Sequence, residues 1–194
     1  AKQVSNVDEM RIYSGEWAGA GVFNTHDPDS APRAPQCGTG FCHGGDSADP
    51  RLNVTPEWMK SNHAQTLKLF LNGDRIAHYE VSCLQCHTTG FKEVASAMNN
   101  GFDDRADMIG YDLEQIPQLI QDAVNNGNDN WPDLPAELQS HANVQCESCH
   151  GAGSRHPANL TQPDAGIDGV DLGFDQCAQC HDSASGFQQG FYQW

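Results

Sequence analysis

Only one long stretch of the chain carries apolar residues at helical spacing. From Asp112 to Val124, residues Leu113, Ile116, Leu119, Ile120 and Val124 recur three or four apart. That period predicts an amphipathic helix. Pro117 lies inside it and predicts an interruption or a kink. The polar run Asn125 to Asn130 ends the pattern. A second helical segment is predicted from Pro56 to Leu71, with Thr55 as N-cap and Pro56 in the first turn. Leu67, Leu69 and Leu71 give it no clean amphipathic face. Strand-like alternation is nearly absent, and only Arg75 to Val81 reads as a short strand. Residues 1–36 contain Gly15, Gly19, Gly21 and a proline-rich run from Pro28 to Pro35. They predict an extended N-terminal arm preceding a domain over 37–194. The fold class is mainly α with low regular secondary structure and few or no strands.

Composition sharpens this picture. The 194 residues are 38 % hydrophobic with 19 Gly and 10 Pro, and mean hydropathy is −0.60. This is one domain with a thin apolar supply and many loops. The net charge is −16, which argues against nucleic acid or an anionic membrane as partner. An acidic surface suits divalent cations such as Ca2+, although no continuous ligand loop is present to assign. No apolar span predicts membrane insertion. The start at Ala1 reads as a mature chain whose export signal has been cleaved. The sequons at Asn53 and Asn159 are of a kind common by chance.

The cysteines supply the chemistry. All eight fall into four pairs, each followed directly by a histidine. Cys83 and Cys86 precede His87, Cys146 and Cys149 precede His150, and Cys177 and Cys180 precede His181, each as Cys-x-x-Cys-His. Cys37 and Cys42 precede His43 with a longer spacer. Cys-x-x-Cys-His is the c-type haem attachment signature. Its thiols form thioethers with the porphyrin vinyls, and the adjacent His ligates the iron. Zinc would need further ligands to close each tetrahedron, with no call for a trailing His. Thioredoxin-like chemistry uses one such motif, not four. A disulfide framework gives no reason for the histidines; a local Cys37–Cys42 disulfide is the alternative for the variant motif. Four haem c groups are therefore expected, with short helices and loops wrapped around them as the core.

Histidine number carries the argument to ligation. Nine His are present. His43, His87, His150 and His181 are proximal candidates. His26, His63, His78, His141 and His156 remain, one more than four six-coordinate irons need. His78 and His141 lie in a small repeat, His-x-x-Val-x-Cys, at 78–83 and 141–146. Bis-imidazole ligation closes both axial positions and favours electron transfer over substrate chemistry. No catalytic residues are assigned. Trp17, Trp58, Trp131 and Trp194 are expected to pack on haem faces or fill gaps. Gly151 and Gly153 are expected to let the chain pass close to a macrocycle.

The ordered pieces resemble a family. They are a first haem motif, Trp58-x-x-x-x-His63-Ala64, Cys83 to Phe91, Val144 to His156, and Cys177 to His181. Together they resemble the tetrahaem cytochromes that accept electrons from hydroxylamine oxidoreductase in nitrifiers, and the tetrahaem cytochromes that polymerise into extracellular nanowires. The resemblance implies His63 as distal ligand to the haem of His150, and His156 to that of His43. Nitrifier members leave the second haem five-coordinate and supply the fourth from a C-terminal tail. Residues 182–194 contain no His, so the fourth haem needs another donor. His141, or less readily His78, is the candidate for the second haem.

The expected function is electron transfer through four covalent haems in an exported protein, extracellular or periplasmic. In its fullest form, His26 of one subunit ligates the His181 haem of the next. Such a head-to-tail contact does not close and builds a filament. A soluble periplasmic shuttle and a reductase with one open haem are the alternatives. Redox proteins or extracellular acceptors are the expected further partners.

Overall fold

A computed structural model describes residues 16, 17, 19, 43, 54–75, 78–91, 100–152 and 174–181. His26, Cys37, Cys42, His156, Gly153, Trp194, the asparagines of both sequons and most of the arm lie outside these residues. The described chain is helical, with low regular structure and no strand. Its one β contact is an isolated antiparallel bridge between Thr88 and Ala142. Among the described residues, no helix is long and apolar enough to cross a membrane.

The helix expected from Pro56 to Leu71 is broken in two. Helix α1 covers Thr55–Met59, a 3-10 turn follows at His63–Gln65, and α2 covers Thr66–Leu71. Hydroxyls cause part of the break: Ser61 Oγ donates to the Trp58 carbonyl at 2.6 Å, and Thr66 Oγ1 to that of Asn62 at 2.8 Å. Both compete with the helical ladder for its acceptors. Thr55 is the first residue of α1 rather than its cap, and Val54 precedes it. The cap of α2 comes from far away. Asn143 Oδ1 accepts from the Leu67 and Lys68 amides at 2.9 and 3.1 Å, satisfying donors a helix start leaves orphaned.

Of the stretch Arg75 to Val81, the described residues form no strand, and residues 76 and 77 lie outside them. Residues 78–80 are irregular, and Val81–Cys83 is a 3-10 turn leading into α3, Leu84–His87. The Cys83 amide donates to the Glu80 carbonyl at 3.0 Å, which turns the chain instead of extending it. Helix α4, Phe102–Ile109, has no sequence signal as clear as its neighbour's, because only Phe102 and Ala106 are buried. It ends at Gly110, whose φ of 67° suits glycine.

Helix α5 is the expected amphipathic helix, placed at Gln115–Asn126. Ile116, Ile120 and Ala123 are buried. Pro117 stands in the first turn, where an N–H has no intrahelical acceptor, and the helix runs on past it. A 3-10 turn at Trp131–Asp133 and three short helices follow: α6 (Ala136–Gln139), α7 (Cys146–His150) and α8 (Phe174–His181).

The described segment has a side-chain core of its own. Helix α2 packs on α5, and α4 on α6. Leu67, Leu71, Leu84, Phe102, Ile116 and Leu138 are fully buried in one cluster, with Trp131 and Leu134 beside them. The expectation that cofactors form the core thus needs correction for residues 67–142. The chain's apolar residues are unevenly spread, and an average over the whole length hides their concentration there.

Candidate functional site

Each described Cys-x-x-Cys-His motif ends on a helix whose last residue is its His, and Cys83 of the second motif closes the 3-10 turn just before α3. His87 ends α3, His150 ends α7 and His181 ends α8. A spacing of three puts the two sulfurs of a pair on one helical face. The next residue then projects from the adjoining edge. The local fold therefore presents two thiols and an imidazole together, as attachment of one porphyrin requires.

The motifs also converge on one another. Helix α8 packs against α3. The Cys86 and Cys180 thiols are in hydrogen-bonding contact, which raises the Cys180 thiol, together with burial and the nearby Cys149 and Cys177. Burial, then Cys177 and Cys146, raises the Cys149 thiol. Residues far apart in sequence thus bring three pairs of sulfurs into one neighbourhood. Cys83, Cys86, Cys146, Cys177 and Cys180 are partly buried and Cys149 is exposed.

His87 is held by two aromatic neighbours. Its ring stacks on Phe70, with centroids 5.2 Å apart and planes at 23°. Its Nδ1 meets the Tyr79 hydroxyl at 3.0 Å. The tautomer that donates Nδ1–H to the Tyr79 oxygen keeps its lone pair on Nε2, the nitrogen left for a metal. Burial lowers the pKa of His87 to about 4, so the ring is neutral at ordinary pH, as ligation needs. Tyr79 is itself buried, and burial pushes its phenol well above the usual value; it stays a neutral hydroxyl. Tyr79→Phe removes this orienting contact. The expected loss is about 1 kcal/mol of stability. In haem-loaded protein, one reduction midpoint should rise, because the ligand imidazole becomes less basic. Denaturation and potentiometric titration check the two effects.

The other histidines divide into three situations. His63 lies beside His181, with ring centroids 6.0 Å apart and planes at 58°; its pKa is lowered by burial and then by His181. The resemblance had paired His63 with the haem of His150. His150 instead has His43 close by, which lowers its pKa after burial does. The His43 carbonyl accepts from the Thr55 amide at 3.1 Å, tying the first motif to α1.

His141 is 1 % exposed, and both ring nitrogens have protein partners. Nδ1 meets Ser140 Oγ at 2.8 Å, and Nε2 meets the Trp17 carbonyl at 3.2 Å. Gly19 passes so close that a Cβ there would stand 3.0 Å from His141 Cε1. The Gly19 amide donates to buried Glu147 at 2.7 Å. In this arrangement His141 holds Trp17 and lies against Gly19. His78 is on the surface, with Nε2 2.8 Å from Glu80 Oε1. The two copies of the His-x-x-Val-x-Cys repeat therefore have unlike surroundings.

Several supporting residues carry no motif in sequence. Asn143 adopts a left-handed φ of 68°. Thr89 Oγ1 donates to the Asn143 carbonyl at 3.0 Å, and the Thr89 amide to the His141 carbonyl at 2.8 Å. These bonds clamp the exit of the second motif to the entry of the third. Only the Asn and Thr identities hint at such a role; their partners are more than fifty residues away. The three described tryptophans fill gaps. Trp58 Nε1 donates to the Val144 carbonyl at 3.0 Å, Trp131 lies under the Lys68 ammonium, and Trp17 packs against Gly90.

Among the described residues no three or more His, Cys, Asp or Glu side chains gather as a cage for a free metal. A porphyrin supplies four nitrogens itself and asks the protein for thioether sulfurs and one or two imidazoles. Compared with protein-family models, curated proteins and solved structures, the chain matches none.

Proposed function

We propose that this chain is an exported electron carrier that binds four haem c groups covalently and has no substrate-converting site. The convergence of the attachment motifs, with α8 packed against α3, carries the reading. Groups anchored there lie close together, and close spacing is what one-electron hopping needs. Haem supplies the one-electron iron couple, while the protein sets its position and potential. The cysteines tether. The motif histidines ligate, and burial keeps His87 neutral for that role. The net charge of −16 favours cationic faces on redox partners. Haem c is attached outside the cytoplasm, so an extracellular or periplasmic location follows.

The same reading extends to a head-to-tail polymer. His141 and His78, the in-chain candidates for the second haem, have other partners. An imidazole from a neighbouring molecule, with His26 the candidate at the His181 haem, would join the subunits. Potentiometric titration beside native mass tests both levels. A carrier shows low-spin optical bands bleaching over several one-electron steps, and the filament shows an open size series. A single monomeric mass keeps the carrier and removes the polymer, leaving a soluble shuttle. Cyanide or nitric oxide binding to one iron in the assembled form favours a reductase. A chain with no haem absorbance contradicts the proposal.

A further inference from the structure

We propose that His63 and His181 are the two axial ligands of a single haem iron, the one tethered through Cys177 and Cys180, so that this iron is completed within one chain. The inference rests on the four-haem reading and adds the ligand pairing, which the motifs leave open.

The distance carries the argument. An imidazole nitrogen ligates a first-row metal at about 2 Å, and that nitrogen lies about 1 Å from its ring centroid. Two rings across one iron therefore have centroids roughly 6 Å apart. His63 and His181 have theirs 6.0 Å apart. Their planes meet at 58°, which is not a stack. Axial imidazoles turn freely about the bond to the metal, so this tilt suits ligation.

The backbone makes the separation a property of the fold. His63 opens a 3-10 turn, and its carbonyl accepts from the Val144 amide at 3.0 Å. Trp58 Nε1 donates to the Val144 carbonyl at 3.0 Å. Asn143, the next residue back, caps α2 immediately beyond the turn. His63 is thus fixed on both sides to the segment entering the third motif. His181 is fixed from the other direction, as the last residue of α8, which is held against α3. Two imidazoles are pinned at a ligating separation by elements more than a hundred residues apart in sequence.

The pairing has a consequence for assembly. If His63 serves the fourth haem, that haem needs no ligand from a neighbour. The second haem, and the haem of His150 that the resemblance paired with His63, then become the two left for other donors.

The test uses the full-length haem-loaded protein. His63→Ala should retain four haems by pyridine haemochrome and convert one further iron from low to high spin in the electron paramagnetic resonance spectrum. Added imidazole should restore the low-spin signal. His63→Met, which keeps a ligand, should stay low-spin and raise one midpoint. In a Cys177→Ala, Cys180→Ala background lacking the fourth haem, His63→Ala should add no high-spin iron. The pairing is overturned if His63→Ala with four haems leaves the spin count unchanged. It is also overturned if high-spin iron still appears in the cysteine-deleted background. Absence of haem from the wild-type protein refutes the four-haem reading itself, a different result from either.

Discussion

Alanine at Phe102 should lower the stability of the folded chain by about 3–5 kcal/mol, the largest loss expected from any single core substitution here. Phe102 opens α4 and is completely buried. It lies in the cluster that includes Leu67, Leu84, Ile116 and Leu138. Its amide also donates to the Thr89 carbonyl at 3.1 Å. Removing the ring leaves a cavity beside backbone that cannot collapse, because Gly90 and Gly101 already touch: a Cβ on Gly101 would strike the Gly90 carbonyl. Denaturant midpoints of wild type and Phe102→Ala, both haem-loaded, measure the effect. Phe102→Leu should recover most of it. An unchanged midpoint for the alanine variant would mean that side chains of this segment are not its core.

Acid should destabilise the protein between about pH 6.5 and pH 4, with His141 as a principal cause. Its pKa is lowered to about 4, first by burial. The Arg105 guanidinium also opposes a proton there, while the Trp17 carbonyl favours one. The unfolded chain binds that proton near 6.5, and the folded chain refuses it. Below 6.5 the unfolded state therefore holds more protons, and stability falls with pH until the folded site titrates too. The full effect is about 3 kcal/mol. His87 has a similar displacement; bound to iron, as proposed, its imidazole would not titrate in this range. His141→Gln keeps a donor and an acceptor for Ser140 and Trp17 and removes the titration. Stability measured over this pH range should decline less steeply in that variant. An identical slope would show that His141 is not the acid-sensitive group.

Much of the site was legible before any fold was known, because its signal is local. Cys-x-x-Cys-His specifies its own geometry: one helical turn brings two sulfurs together, and the next residue follows. The helix of Ile116 and Ile120 was legible for the same reason, since period and burial agree. What was not legible is long-range. Asn143 capping α2, Glu147 holding the Gly19 amide and Trp17 meeting His141 join residues that share no pattern. The repeat of His78 and His141 misled in this sense: the six-residue patterns match, but Glu80 lies beside one ring and Trp17 and Ser140 beside the other. Ligand pairing was likewise closed to sequence. Counting nine histidines says that enough are present, whereas which two face each other depends on how α8 docks. The end of the strand expected over Arg75 to Val81 is a turn instead, because the Glu80–Cys83 bond belongs to the attachment helix that follows.

The most direct measurement is the intact mass of the purified polypeptide. Covalent attachment at every cysteine pair gives a single species heavier than the bare chain by four haem groups, stable to denaturation and acid extraction. A mass equal to the unmodified polypeptide would contradict it, and with it the reading of these motifs as electron-carrying sites.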